Sequence, residues 1–401
     1  MAVTVPGRPK SGLPNEPGAA RPPRSWQRGP ERRAQLAAAA ARQFCRLGFH
    51  QVSMADLALA VGLTAPAIYR HYRSKDDLLA AVIAGGLDLV GEALAGVSDA
   101  PAADFLPTAA GVAVARRDLW ILLQRELRHL SPAQREPLEA RFFEGIARPF
   151  RALVRRERPD LPPQDTGLVT TAVLATLASP SVYRTRMPPR AQQRIIAATA
   201  QAALGARWDP AGEQAAPPSS ARAADRVTEL LDTAIRLFAA RGYQAVSLDD
   251  IGAELGLAGP SLYHYYATKS DILVAAFARA AEWLPARALP LDELVTAYTG
   301  LAVRERTLFA VYVWEAVNLP PEAGRRIRSR LDADVQAWCA ALADVRPGLT
   351  DTQRLALVHA ARAVVHDVVR IGHWHDRPDL AAALRSLVKA VLFTPLERPG
   401  T

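Results

Sequence analysis

Apolar side chains recur every three or four residues through most of the chain, and β-branched alternation is scarce, a pattern that predicts helix rather than strand. Breaks in the pattern fall at Pro or Gly, as in LPP (161–163), SPS (179–181), MPP (187–189), NLPP (318–321) and RPGLT (346–350). The expected fold class is all-α. Periodicity is lost over WDPAGEQAAPPSSARAA (208–224), whose Pro, Gly and Ser read as a flexible linker. The most apolar run, GLVTTAVLATLAS (167–179), is shorter than the roughly 18 residues a membrane span needs, and the N-terminus lacks the apolar core of a signal peptide. A cytoplasmic protein with no membrane partner is expected.

The pattern is written twice. At a displacement of 194, FCRLGFHQVSMADLALAVGLTAPAIYRHYRSKDDLL (44–79) lies without gaps over FAARGYQAVSLDDIGAELGLAGPSLYHYYATKSDIL (238–273), with roughly a third of positions identical. At a displacement of 189, VARRDLWILLQRELRHLSP (114–132) lies over VRERTLFAVYVWEAVNLPP (303–321), sharing Arg117/Arg306, Leu119/Leu308, Glu126/Glu315, Leu130/Leu319 and Pro132/Pro321. Two copies of so long a period exclude a solenoid and leave a duplicated globular unit. A length of 401 residues fits that division, since it exceeds one ordinary core.

Within each copy the first fifty residues carry legible stops and starts. A helix from near Glu31 (or Asp225) closes at Phe44 (Phe238); Gly48 (Gly242) then supplies the left-handed residue that a helix end needs, and Phe49 (Tyr243) packs back over it. Ser53 and Ser247 cap a second helix, each with an Asp three residues on. That helix stops at Gly62 (Gly256), and a third of about nine residues begins with Pro66 (Pro260) in its first turn. Ser74 and Thr268 cap a fourth, with Asp77 and Asp271 three residues on. Two short helices joined by a tight Gly turn make a helix-turn-helix, whose second helix enters the major groove. Tyr69, Tyr72 and Lys75, with Tyr263, Tyr266 and Lys269, sit where the phosphate backbone would run. For Tyr72 and Tyr266 a place in the core is the favoured alternative; for the others, phosphate contact is.

Both segments resemble the DNA-binding domain of the TetR family of bacterial transcription regulators, in its tandem duplicated form. The resemblance implies two units, each a three-helix helix-turn-helix head followed by a larger helical domain that binds a small effector and pairs through its last two helices. The implied boundaries are a disordered basic arm (1–28), first head (29–79), first regulatory domain (80–206), linker (207–222), second head (223–273) and second regulatory domain (274–398). Carried over by position, base readout falls on Ala65, Pro66, Ala67 and Arg70, and on Gly259, Pro260, Ser261 and His264. Phosphate contacts fall on Ser53, Tyr69, His71 and Lys75, and on Ser247, Tyr263, Tyr265 and Lys269. The implied partners are double-stranded DNA and a small-molecule effector, with the two units forming an intramolecular pseudo-dimer that is free to associate further. A repressor released by its ligand and reading two unlike half-sites is the expected function. A ligand-binding interaction protein, or a non-specific nucleoid coat, is the alternative.

Charge and candidate chemistry change this picture little. Of a net charge of +9, residues 1–33 supply about +5, from seven Lys or Arg against Glu16 and Glu31. This Pro-rich arm either meets an anion or merely solubilises. Cys45 and Cys339 are too few for a disulfide framework and suit a reducing compartment. No catalytic or cofactor motif is found: there is no G-x-S-x-G, Gly-rich phosphate loop, H-E-x-x-H or C-x-x-C. His359, His366 and His373 recur every seven residues, about 10.5 Å apart along a helix. That spacing is too wide to share one metal ion, and a packing seam between the halves or between chains is the expected place for the row. Trp120, Phe142, Phe143, Phe150, Phe309, Tyr312, Trp314 and Trp338 are expected in cores.

Overall fold

The computed structural model describes residues 29–209, 225–257, 262–284, 289–371, 374 and 376–396, and these are helical with no strand. The basic arm, linker residues 210–222, Gly259, Pro260, Ser261 and His373 lie outside the described residues. The first unit opens with α1 (Gly29–Leu47), α2 (Met54–Ala60), α3 (Ala65–Ile68) and α4 (Lys75–Ala95). Then come α5 (Ala102–Ala115) and α6 (Arg117–Ile121), the latter prolonged by a π turn (Leu122–Glu126) and a 3-10 turn (Leu127–His129). A second π turn, Phe143–Ala147, joins α7 (Pro132–Phe142) to α8 (Arg148–Glu157), and α9 (Pro163–Ala178) and α10 (Pro189–Gly205) complete the unit. The second unit runs α11 (Arg226–Arg241), α12 (Leu248–Glu254), α13 (Lys269–Glu282), α14 (Leu291–Arg304), α15 (Arg306–Glu315), α16 (Pro321–Val345), α17 (Asp351–Arg370) and α18 (Leu380–Leu392).

Prolines start α7, α9, α10 and α16, where a missing N–H removes no helical bond. At the other end an arginine closes each unit. Arg158, just after α8, donates to the free carbonyls of Leu204 and Ala206 at 3.0 and 2.9 Å. Arg346, just after α16, does the same for Leu392 and Thr394 at 2.5 and 2.9 Å. Both meet the unpaired acceptors that a helix terminus leaves.

The two units pack through their last helices. α9 and α10 lie against α17 and α18, and their buried Leu, Val and Ala side chains join one continuous core. Polar pairs fasten this bundle at its rim: Arg377 to Asp165 at 2.6 Å, and Trp208 Nε1 to Asp379 at 3.3 Å. Trp374 closes on Gly167, where a Cβ would stand only 2.6 Å from its ring, so only glycine leaves room. The histidine row divides its work. His359 stacks on Tyr183 of the other unit, ring centroids 4.5 Å apart, whereas His366 turns inward and shares a 2.7 Å hydrogen bond with the Tyr298 hydroxyl of its own unit.

Two expectations are corrected. Phe143 is 49% exposed, because the π turn that it opens rotates it off the buried face that Leu138 and Ile146 keep. α4 is long and apolar enough, by length and composition, to cross a membrane. Asp88 and Glu92 interrupt the apolar run in sequence, but they fall within a helix whose Leu78, Leu79, Ile83 and Leu87 are spent in the core of the first unit.

Burial pushes the His359 pKa down to about 4 and that of His366 down to about 3, so both rings are neutral in the folded chain. Unfolded, each would take up a proton below pH 6.5. Stability is therefore complete above that pH and is lost as pH falls from there towards 4, on the order of 1 kcal/mol per pH unit for each ring. Thermal melts between pH 7.5 and 5 should show this slope, and His359→Gln should make it shallower.

Candidate nucleic-acid interface

Each head is built on the same two glycine turns. Gly48 and Gly242 both take φ +83°, and Gly62 and Gly256 take +69° and +63°, which other residues adopt only under strain. Ser53 accepts from the Asp56 amide at 3.1 Å while Asp56 accepts from the Ser53 amide at 3.0 Å, and Ser247 with Asp250 repeats the box. The hydroxyls of Ser53 and Ser247 are thus committed to their caps. Such a cap is worth about 1 kcal/mol. The third helix is shorter than expected: α3 spans four residues. Its last residue, Ile68, is fully buried, and Tyr72 one turn on also faces inward, its hydroxyl donating to the Arg33 carbonyl at 3.2 Å. Tyr72 thereby takes the core alternative, and the half-buried Tyr266 packs likewise against the second head's core.

What remains outward is a short reading turn. Tyr69 is 54% exposed and Tyr263 53%, and Arg70, Pro66, His264 and Tyr265 are exposed beside them, with Ala67 and His71 half-buried. The helical backbone places Ala65 at the first position of α3. Arg73, also exposed, escaped the sequence reading; Ala267 stands at its place in the second head, so the first turn carries two exposed guanidinium groups that the second lacks.

Lys75 and Lys269 are less free than expected. Lys75 donates to the carbonyls of Phe49 and Val52 at 2.9 and 3.0 Å and lies 4.2 Å over the Phe49 ring. Lys269 donates to Tyr243 and Gln244 at 2.6 and 3.3 Å and lies 4.4 Å over the Tyr243 ring. The same aromatic residue is held from its other side. Glu126 accepts the Phe49 amide at 3.1 Å, and Glu315 accepts the Tyr243 amide at 3.2 Å. Lysine, aromatic and glutamate therefore form one clamp in each unit, joining the head to the first regulatory helices. Glu126 and Glu315 matched in the sequence alignment, but alignment alone assigned them no role.

Both glutamates are about 1% exposed, so each needs a countercharge. Glu126 finds it locally in Arg125, which also donates to the Phe44 and Cys45 carbonyls at 2.5 and 3.0 Å. The neighbouring His129 contributes no charge, since burial lowers its pKa to about 3. In the second unit Trp314 replaces that arginine, and the charge arrives from the first: Arg128 pairs with Glu315 at 3.0 Å, lies 4.5 Å over the Trp314 ring and reaches the Phe238 carbonyl at 3.4 Å. At the position equivalent to Arg128 the second unit carries Val317, which packs against Gly48 of the first head. Of these two contacts from a regulatory domain to the other unit's head, one is ionic and the other apolar. Burial pushes the Cys45 thiol up to about 12 and that of Cys339 up to about 11, which leaves neither a nucleophile.

Arg128→Ala should strand the Glu315 carboxylate and destabilise the second head by about 3 kcal/mol. Adding Glu315→Gln should recover much of that loss. Urea unfolding of the two single variants and the double variant measures the coupling.

Residues 36–82 and 230–276 each match the family of bacterial regulatory proteins, tetR family. No curated protein matches the chain. Among solved structures, a TetR-family transcriptional regulator from Bordetella parapertussis 12822 is similar at 19% identity over 42% of this chain and 93% of its own, with a TM-score of 0.39. AibR, crystallised with isovaleryl coenzyme A and operator DNA, is similar at 18% identity over 41% of this chain and 96% of its own, with a TM-score of 0.37. The ketosteroid transcriptional regulator KstR2 of Mycobacterium tuberculosis is similar at 20% identity over 43% of this chain and 93% of its own, with a TM-score of 0.38. With the family matched once in each half, over the helix-turn-helix of each, the chain is a tandem of two TetR-like units, all-α, carrying two heads of the bacterial regulatory tetR family.

Proposed function

We propose that the chain is a non-enzymatic cytoplasmic transcription regulator that binds double-stranded DNA through both heads at once, reads an asymmetric operator as a repressor, and is released by a small molecule. The observation that carries this reading is a constant frame around unlike reading turns. Glycine turns, caps and clamps repeat, while Arg70 and Arg73 in the first turn correspond to His264 and Ala267 in the second. A guanidinium can grip guanine O6 and N7 with two bonds, whereas an imidazole offers one good bond there. Base readout is assigned to Ala65, Pro66, Ala67 and Arg70, and to Gly259, Pro260, Ser261 and His264. Phosphate contact is assigned to Ser53, Tyr69, His71 and Lys75, and to Ser247, Tyr263, Tyr265 and Lys269; for Ser53 and Ser247, whose hydroxyls donate to Asp56 and Asp250, it requires the hydroxyl to turn from its cap to the phosphate. For Lys75 and Lys269, each already donating to two carbonyls, that contact rests on the third proton of the ammonium.

Footprinting on the gene's own upstream region, followed by selection from random duplexes, tests the reading. Two different half-sites are expected, and recovery of a perfect inverted repeat would sink the asymmetric operator. Arg70→Ala should cost about 1–3 kcal/mol on a guanine-containing half-site and leave the preference at the other half-site unchanged. Arg73→Ala should weaken binding to all duplexes alike and lower the salt slope by about one.

A further inference from the structure

Beside each clamp a polar pair joins the head to a 3-10 turn of its own regulatory domain, Leu127–His129 in the first unit and Ala316–Asn318 in the second. The two pairs differ in kind. The residue after the clamped aromatic is His50 in the first head and Gln244 in the second, and their partners, at matched positions of the repeat, are His129 and Asn318. Gln244 Nε2 donates to Asn318 Oδ1 at 3.3 Å, and Asn318 Nδ2 donates to Glu315 at 2.7 Å. Amides keep these roles whether the solution is neutral or acid. In the first unit His50 Nε2 and His129 Nδ1 face each other at 3.2 Å, with ring centroids 4.4 Å apart. Phe49 lies against both rings, 5.4 Å from His50 and 5.8 Å from His129, so the aromatic of the first clamp is also seated on the histidine pair.

One proton serves the two facing nitrogens: one ring donates and the other accepts, which requires at least one neutral imidazole. With both rings charged, two N–H groups would point at each other and two cations would stand in contact. His129 has no free carboxylate to balance that charge. Its Nε2 is 3.6 Å from Glu126, too long for a hydrogen bond, and Glu126 is already paired with Arg125. The other charged groups around the pair are Arg125 and Arg128 from the same segment and Lys75 of α4, with Asp76 of α4 on the His50 side. Burial first, then His50 and these cations, hold His129 down at about 3, while burial and then Lys75 lower His50. An opening that wets the pair restores the ordinary value of about 6.5 to both rings. Acid therefore favours the open clamp. What the neutral His129 contributes is complete above pH 6.5 and is lost as pH falls towards 3, about tenfold in the opening equilibrium per pH unit. The second clamp has the opposite sign: burial pushes the Glu315 carboxyl up, so protonation there favours the closed state.

We propose that the pair of His50 and His129 is an acid-sensitive catch confined to the first head: protonation loosens the first clamp, while the second, seated on Gln244 and Asn318, holds. The consequence for DNA rests on the reading of the heads as DNA-binding; the loosening itself does not. A chain so built grips both half-sites at neutral pH and keeps a firm hold on the second alone in acid. Affinity then falls without a small molecule and without separating the two units.

The test of the catch uses the full chain without DNA, so that its failure leaves the operator reading standing. Hydrogen exchange at pH 7.5 and 5.5, corrected for the intrinsic rate, follows each clamp through its own amide, Phe49 on Glu126 and Tyr243 on Glu315. Global unfolding, which His359 and His366 also favour in acid, opens both amides alike, so the readout is the Phe49 protection factor divided by that of Tyr243. That ratio should be lower at pH 5.5 by roughly tenfold or more. His50→Gln with His129→Asn should abolish the fall, and Gln244→His with Asn318→His should impose one of similar size on Tyr243. A ratio that does not change with pH, or a fall that persists in the first double variant, would overturn the proposal. If neither double variant folds, the ratio in the unaltered chain decides alone. On the operator recovered by footprinting, the first half-site should lose protection at pH 5.5 and regain it with His50→Gln and His129→Asn together. Loss from both half-sites, or from neither, would overturn the link from the catch to the reading turn.

Discussion

Two carboxylates that cannot reach water govern how this molecule is put together. Glu126 and Glu315 each accept the backbone amide of the aromatic residue that follows a left-handed glycine, and a lysine takes the carbonyl of that same residue. A backbone group so placed at a helix end has no partner within the helix. The clamp supplies one, and in doing so fixes the angle between each head and its regulatory helices. Because a buried carboxylate is tolerable only with a cation beside it, the position of the arginine decides which parts of the chain are tied to which. With Arg125 the tie is internal; with Arg128 it crosses from one unit to the other.

The duplicated framework and the unlike details therefore belong together. Caps, glycine turns, the arginine that closes the last helix and the bundle of final helices are the same in both units, as expected for parts that set geometry. Differences collect at the reading turns, and at the contacts that each regulatory domain makes with the head of the other unit. The first head shares its core with the body of the molecule, and the second is packed as a nearly separate piece. Local stability varies across a protein in just such cooperative blocks, and a block with its own core is the easier one to shift.

Most of the scaffold was legible because it is written in local chemistry. Helical period, proline starts, Ser–Asp boxes and glycines at helix ends fix elements within a few residues, and the internal repeat supplied a second reading of each. Sequence reasoning placed Tyr72 correctly, since an aromatic three residues from another on a helix falls on the inward side. It overestimated α3: the regular helix ends at Ile68, and the residues after it are held by tighter bonds, from the Arg70 amide to the Ala67 carbonyl and from the His71 amide to the Ile68 carbonyl. It misplaced Phe143, because nothing in FFEGIA announces a π turn. It gave Lys75 and Lys269 to phosphate without seeing that carbonyls 26 residues back already occupy them. Arg128 was illegible for a related reason: its partner lies 187 residues away, and only the fold brings them together.

The pairing of α9 and α10 with α17 and α18 has a further consequence for how such a molecule populates its assembled form. Two separate subunits must find one another, and at low copy number they spend part of their time alone. Here each final bundle is closed within one chain, so its partner is supplied at a local concentration set by the tether rather than by expression level. Dilution cannot dissociate it, and scrambled pairings of like with like are avoided at synthesis, which keeps the two unlike heads in strict one-to-one stoichiometry.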